Sequence, residues 1–201
     1  MDRKGIVLFH GRSLEKDHEE VCRDIAYVGT DFDFSLNTKV KTLRKIYRDF
    51  YSEFDEQQFE SLCEKSDITL KSKLSQLSLG QNKLLQLYLA ICRKPVLLIL
   101  DEPTAGLDVI VRDELLDMLR DYMEQNEDCA IIISSHISSD LEGLCDDLYM
   151  IDQGKIVMHE ETDVLLSDYA ILKVDEEQFY ELDKQYLLCQ KERKFWIPLF
   201  N

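Results

Sequence analysis

Two adjacent carboxylates, Asp101 and Glu102, close the run Val96-Leu97-Leu98-Ile99-Leu100 and are followed by Pro103. A short, continuous apolar run of this kind reads as a strand buried in a sheet, and such a strand delivers its last residues to the edge where open α/β sheets gather their ligands. A carboxylate at a buried strand end is costly unless a cation or hydrogen-bond donors receive it. Mg²⁺ together with a nucleotide phosphate meets that demand. In that chemistry Asp101 belongs to the Mg²⁺ shell, and Glu102 orients and deprotonates an attacking water. Taken alone, the pattern also fits a capped strand end.

Fifteen residues ahead of Val96 ends a second segment, Leu77-Ser78-Leu79-Gly80-Gln81, which opens a helix with apolar positions at Leu84, Leu85, Leu87, Tyr88, Ile91 and Cys92. Free N–H groups and the positive end of the helix dipole at such a terminus suit a phosphate, and Gly80 lets the backbone come close. In isolation the segment reads first as an ordinary serine N-cap. After the acidic pair, Thr104-Ala105-Gly106-Leu107-Asp108 forms a glycine-containing turn into the next helix, and Ser134-Ser135-His136 ends the following strand. A histidine at a strand end is ordinarily a satisfied surface or core residue. Here it shares its edge with Asp101 and Glu102.

The elements that must position these groups are legible. Ile25-Ala26-Tyr27-Val28, Val96 to Leu100 and Ala130 to Ser134 read as strands, the last two as parallel strands covered on both faces. Val111 to Met123 places Leu115, Leu116, Leu119, Tyr122 and Met123 at helical spacing between two of them, which implies an α/β crossover. From Asn37 to Cys63 the texture turns helical, with Val40, Leu43, Ile46, Tyr47 and Phe50 at intervals of three and four, and Asp55 with Gln58 marks an N-cap and capping-box partner. Gln153-Gly154 between two alternating runs marks a hairpin, so the sheet is expected to end antiparallel. The tail mixes a strand-like Ile171 to Val174, a helix-like Glu176 to Lys184 and an apolar finish from Phe195 to Phe200.

Composition narrows the partners. A formal net charge of −16 argues against nucleic acid, whose phosphates attract clustered Lys and Arg; the short basic stretch Lys39 to Lys45 reads as the solvated face of an amphipathic helix. Six cysteines, widely scattered and without a Cys-x-x-Cys pair, read as reduced, mostly buried thiols of a cytosolic protein. The longest apolar runs are far shorter than the roughly 20 residues of a membrane-spanning helix, and no signal-peptide core follows Met1.

The order Leu-Ser-x-Gly-Gln, apolar strand with Asp-Glu-Pro, Ala-Gly-Leu-Asp, and strand with Ser-Ser-His resembles the ATP-binding subunits of ABC transporters over about residues 5 to 170. The stretches Asp101 to Arg112 and Ser138 to Lys155 look most like drug- or bacteriocin-type exporter ATPases of Gram-positive bacteria. The resemblance implies a P-loop NTPase (RecA-like) α/β core with a mostly parallel sheet, a late antiparallel hairpin and an inserted α-helical lobe. Residues 1–31 and 82–168 would form that core, 32–81 the lobe ending in the signature motif, and 169–201 a small extension. It also implies roles: Glu102 and His136 catalytic; Ser78, Leu79, Gly80, Gln81 and Asp108 on the nucleotide; Asp101 on Mg²⁺ through water. ATP and Mg²⁺ are the implied ligands. A second ABC ATPase subunit, identical or different, and a transmembrane permease are the implied partners, at the cytoplasmic face of the membrane.

The sequence departs from the family in three places. Its seven glycines include no Gly-x-x-x-x-Gly-Lys-Ser/Thr phosphate loop: the only Gly-Lys pair, Gly154-Lys155, is followed by Ile156. Because Gly5-Ile6-Val7-Leu8 resembles the strand after that loop, the chain reads as truncated ahead of Met1. Thr30 stands where the family carries a glutamine that reaches Mg²⁺, leaving Thr30 or Asp31 as a weak ligand or a plain turn, and Leu79 replaces a usual glycine. Since the resemblance implies sites formed between two subunits, the chain is expected to offer mainly the signature half-site. The alternatives are a non-catalytic remnant or regulatory partner of an intact ATPase, and, against its acidity, an ABC protein acting on ribosomes or DNA. The loop Phe32-Asp33-Phe34-Ser35-Leu36 with Tyr47, Tyr51 and Phe54 is read either as a permease-facing patch or as the core of the lobe.

Overall fold

The computed structural model describes residues 7–30, 32, 34–168, 174 and 176–181. Contacts divide the chain into two compact units, 1–148 and 149–201. The first opens with a short antiparallel pair, β1 (Leu8–Phe9) and β2 (Arg12–Ser13), then α1 (His18–Asp24) and β3 (Ile25–Val28). The helical lobe follows as α2 (Val40–Phe50) and α3 (Glu56–Lys65), and a 3₁₀ turn at Leu74–Gln76 leads into α4 (Leu79–Ile91). After these come β4 (Leu97–Asp101), α5 (Val109–Gln125), β5 (Ala130–Ser134) and α6 (Ser138–Glu142).

The three strands form a parallel sheet in the order β3-β4-β5, with Leu100 between Val28 and Ile133, and Asp101 opposite Ser134. Leu98 and Leu100 point into the core with Ala26 and Val28, against α4 residues Leu84, Leu85, Leu87 and Tyr88 and α5 residues Leu115 and Leu119. The opposite face is open: Tyr27 is exposed and Ile132 is 57% exposed. The expectation of strands covered on both faces thus holds in part for β4, whose Leu97 and Ile99 are half-buried, and not for β5, where Ile132 is exposed. A run of leucine and isoleucine looks the same whether one face or both are packed, because the run specifies hydrophobicity and not the number of layers above it.

In the lobe, Asp55 Oδ1 accepts from Gln58 N at 2.9 Å and caps α3. Tyr47, Tyr51, Phe54 and Phe59 pack as tilted ring pairs with centroid separations of 5.5 to 5.9 Å. Phe54 is buried, and Phe32, Phe34, Tyr47 and Tyr51 pack on the core. These aromatics are the lobe's own core, and of the apolar residues in the expected patch only Leu36 stays largely exposed, at 67%. Arg93, at the end of α4, lies over the Tyr51 ring at 3.7 Å and donates to the carbonyls of Cys22, Arg23 and Ile25, tying the lobe to the end of α1. Burial lowers its pKa, partly offset by the neighbouring tyrosines.

In the second unit, β6 (Asp147–Asp152) and β7 (Lys155–Glu161) make an antiparallel hairpin, with Tyr149 and His159 stacked at 4.0 Å. Gln153 and Gly154 have φ of 47° and 76°, the two positive values a type I′ turn requires. The hairpin is a sheet of its own. The expected late antiparallel hairpin is thus present. The unit continues with α7 (Thr162–Asp168) and α8 (Glu176–Glu181), the latter matching the first part of the predicted Glu176 to Lys184 helix. Most of the strand-like Ile171 to Val174 and all of Phe195 to Phe200 lie outside the described residues.

Two predictions follow from this packing. A Cβ on Gly80 would sit 2.8 Å from Val111 Cγ1 where α4 meets α5. Val111 is β-branched and stiff in a helix, so Gly80→Ala overpacks by about 1–3 kcal/mol, outweighing the roughly 1 kcal/mol gained in helix propensity. Urea unfolding should show a net loss for Gly80→Ala alone that vanishes or reverses in a Val111→Ala background. The thiols give the second. Cys22 is exposed, Cys63 and Cys92 are buried, and Cys129 and Cys145 are half-buried. Burial pushes the Cys63 thiol up to about 12 and raises those of Cys92, Cys129 and Cys145. With a maleimide at neutral pH, peptide mapping should find Cys22 labelled first of these five, and Cys63 and Cys92 labelled only after unfolding.

Candidate functional site

The register of β4 and β5 builds the acidic edge. It sets Asp101 beside Ser134, whose Oγ donates to Asp101 Oδ1 at 2.6 Å. The same hydroxyl accepts from the Glu102 backbone N–H at 3.0 Å, which also reaches the Ser134 carbonyl at 3.2 Å. Glu102 is thereby held at φ 49°, in the left-handed region that a non-glycine residue adopts only at a cost of order 1 kcal/mol. In this conformation its Oε2 meets His136 Nδ1 at 2.7 Å. The Glu102 side chain is 28% exposed and that of His136 is 68% exposed, so the pair opens to solvent. Tyr27 on β3 reaches the other Asp101 oxygen, Oδ2, at 3.4 Å.

The second constellation sits at two helix N-termini. Ser78 Oγ accepts from Gln81 N and Gln81 Oε1 accepts from Ser78 N, both at 3.1 Å, completing a capping box for α4. Gln81 also donates to the Ser66 carbonyl at 3.2 Å. Asp108 Oδ1 accepts from Ile110 N at 3.0 Å and Val111 N at 3.1 Å, capping α5. Gly80 is buried against Val111, so its missing side chain admits the neighbouring helix, in addition to whatever approach a ligand requires. Leu79 is exposed beside exposed Val109 and Ile110, and its Cδ2 would lie 3.2 Å from a Cβ on Gly106. The leucine that replaces a glycine thus rests on the turn that leads out of the acidic edge.

Of the predicted site residues, the structure brings Asp101, Glu102 and His136 into one hydrogen-bonded set, and Ser78, Gln81 and their helix start into another. Among the described residues no hydrogen bond joins the two sets. Thr30 lies exposed at the same sheet edge, two residues past the Val28–Leu100 pair, while Asp31 falls outside the described residues. Next to it, buried Lys83 of α4 donates to the Gly29 carbonyl at 3.2 Å. Tyr27 and the bridging role of Ser134 escaped sequence reading. A tyrosine in an apolar strand signals only a strand, and a hydroxyl's partners depend on register.

The donors at the acidic edge are carboxylate and hydroxyl oxygens, the hard set that suits Mg²⁺. Among the described residues no group of three or more His, Cys, Asp and Glu stands ready to enclose a metal.

Comparison with known proteins completes the picture. The family profile described as ABC transporter matches residues 1–105. The chain is 30% identical over 170 residues to the ABC transporter ATP-binding protein YtrB of Bacillus subtilis (strain 168), covering 85% of this chain and 58% of YtrB. It is 41% identical over 93 residues to the lantibiotic transport ATP-binding protein SrtF of Streptococcus pyogenes, covering 46% of this chain and 40% of that protein. It therefore spans about half the length of these relatives. Among solved structures, an ATP-binding subunit of an ABC transporter superposes with a TM-score of 0.72 at 21% identity, over 89% of this chain and 75% of its own. CbiO1 from Clostridium perfringens, part of the ABC transporter complex cbiONQ, gives 0.61 at 21% identity, over 83% and 70%. Both show the P-loop NTPase fold, here with its parallel sheet and helices. With motif order, fold and family match in agreement, the chain belongs to the ABC transporter family.

Proposed function

We propose that this chain is the energy-coupling subunit of an exporter-type ABC transporter and that its 201 residues supply the signature half of an ATP site shared with a second ABC ATPase subunit, identical or different. The observation that carries this reading is the α4 start. Ser78 Oγ accepts the Gln81 N–H, which leaves the hydroxyl proton free to be donated to a phosphate oxygen. The neighbouring α5 start is capped in the same way, by Asp108. Two helix N-termini turn the positive ends of their dipoles to one surface, which matters in a chain of net charge −16 that otherwise repels a nucleotide.

The acidic edge takes the complementary chemistry. Asp101 would hold Mg²⁺ through water, and the cation would supply positive charge against the phosphates. Glu102 keeps Oε1 outside its contact with His136 and can accept a water proton there, while His136 fixes the direction of the carboxylate. These 201 residues hold no Gly-x-x-x-x-Gly-Lys-Ser/Thr loop to anchor a phosphate over Glu102, so the amide cradle must come from elsewhere. Thr30, shorter than a glutamine, adds little to the Mg²⁺ shell. The subunit would work at the cytoplasmic face of a membrane, beside a permease contacted through the loop that exposes Leu36. Among the described residues no helix is long and apolar enough to cross a membrane.

Calorimetry of the isolated chain should show no saturable heat with Mg-ATP at micromolar concentrations; micromolar affinity would refute the half-site reading. Mixed with a full-length ABC ATP-binding subunit that has its own phosphate loop, the chain should support hydrolysis. Ser78→Ala should lower that rate about 10- to 100-fold, the worth of one charge-assisted hydrogen bond, and Ser78→Thr should retain it. Leu36→Asp should reduce co-purification with a transmembrane permease, whereas unchanged recovery would place docking elsewhere.

A further inference from the structure

The two loops of the acidic edge are tied together from behind by a residue that touches neither Glu102 nor His136. Asp140, on α6, is 0% exposed. Its Oδ2 accepts from Thr104 Oγ1 at 2.6 Å, and its Oδ1 accepts from Arg112 Nε at 2.6 Å, with Arg112 Nη2 in the same ion pair. Arg112 Nη2 also donates to Ser139 Oγ at 2.8 Å. Thr104, itself buried, stands two residues after Glu102; Asp140 stands four after His136; Arg112 lies near the start of α5, whose cap Asp108 closes the same turn.

A carboxylate taken fully out of water gains little net stability from a guanidinium, because desolvation consumes most of the attraction. What a forked guanidinium and a hydroxyl give it is a fixed geometry. Here that geometry spans the loop carrying Glu102 and the loop carrying His136, which meet at a pair open to solvent. Glu102 is in a left-handed conformation held on one side by Ser134. On the other side the Glu102 carbonyl accepts from Ala105 N at 3.2 Å, and the turn so closed is held to α6 through Thr104 and Asp140.

We propose that Asp140 is a positioning residue that, through Thr104 and Arg112, sets the reach between Glu102 and His136. This deepens the reading of Glu102 and His136 as the acting pair. It is tested without nucleotide, so a chain that never hydrolyses ATP can still pass or fail it.

The contact makes the neutral imidazole of His136 carry its proton on Nδ1 and donate to Glu102 Oε2. Long-range ¹H–¹⁵N spectra of the full chain, recorded well above the ordinary imidazole range and assigned with a His136→Gln control, read that tautomer directly. Wild type should show the Nδ1–H form, and Glu102→Ala sets the uncoupled ratio. Asp140→Asn should move His136 most of the way to that ratio, Thr104→Val part of the way, and Thr104→Ser should retain the wild-type form. A purely structural role would lower the melting temperature and leave the tautomer of the folded chain untouched. An Asp140→Asn chain with native circular dichroism and the wild-type tautomer overturns the proposal. If that variant does not fold, the Thr104 pair decides: equal tautomer ratios in Thr104→Val and Thr104→Ser overturn it.

Discussion

The acidic edge depends on one hydroxyl. Ser134 Oγ donates to Asp101 and accepts from the backbone of Glu102, so a single atom fixes the carboxylate of one residue and the main-chain conformation of the next. It can do so only because β4 and β5 run parallel in a register that sets Asp101 against Ser134. Shifting β5 by one residue would turn Ser134 to the face away from Asp101 and release Glu102 from its left-handed conformation. The packing of Leu98 and Leu100 on α4 and α5 is what makes such a shift costly. The chemistry at the strand end is thus secured by apolar contacts along the whole strand.

The signature surface obeys a different constraint. Helix starts leave backbone donors unsatisfied, and both α4 and α5 answer with side-chain caps, Ser78 with Gln81 and Asp108. Capping and anion binding compete for the same donors only in part. Asp108 satisfies the second and third amides of α5, Ser78 only the third of α4, and the serine proton remains available. Close approach of the two helices is set by Gly80 against Val111, and Leu79 bridges to the turn at Gly106. One glycine serves packing while its neighbours serve the ligand, which local sequence alone does not distinguish.

Much of the fold was legible because its signals are local. Strand limits at Ile25–Val28 and Ala130–Ser134, the caps at Ser78 and Asp55, and the Gln153-Gly154 turn each follow from residues within one turn of each other. Where the reading failed, the deciding contact was distant. Apolar runs did not reveal that one face of the sheet is open, with Ile132 and Tyr27 exposed. Aromatics at helical spacing fitted a docking patch and a lobe core equally, and only the mutual packing of Tyr47, Tyr51, Phe54 and Phe59 placed these rings in the lobe's core.

The sequence by itself determined the order of the motifs, the acid pair at a strand end, the serine at a helix start and the lack of a Gly-x-x-x-x-Gly-Lys-Ser/Thr loop within these residues. These are properties of residue type and short spacing, which need no partner to be seen. Only the tertiary structure decided that His136 meets Glu102, that Ser134 joins Asp101 to Glu102, and that Asp140 reaches Thr104 and Arg112 across 36 and 28 residues. Each of those links joins side chains from different elements, and its geometry exists only once the parallel register and the helix packing have brought the elements together.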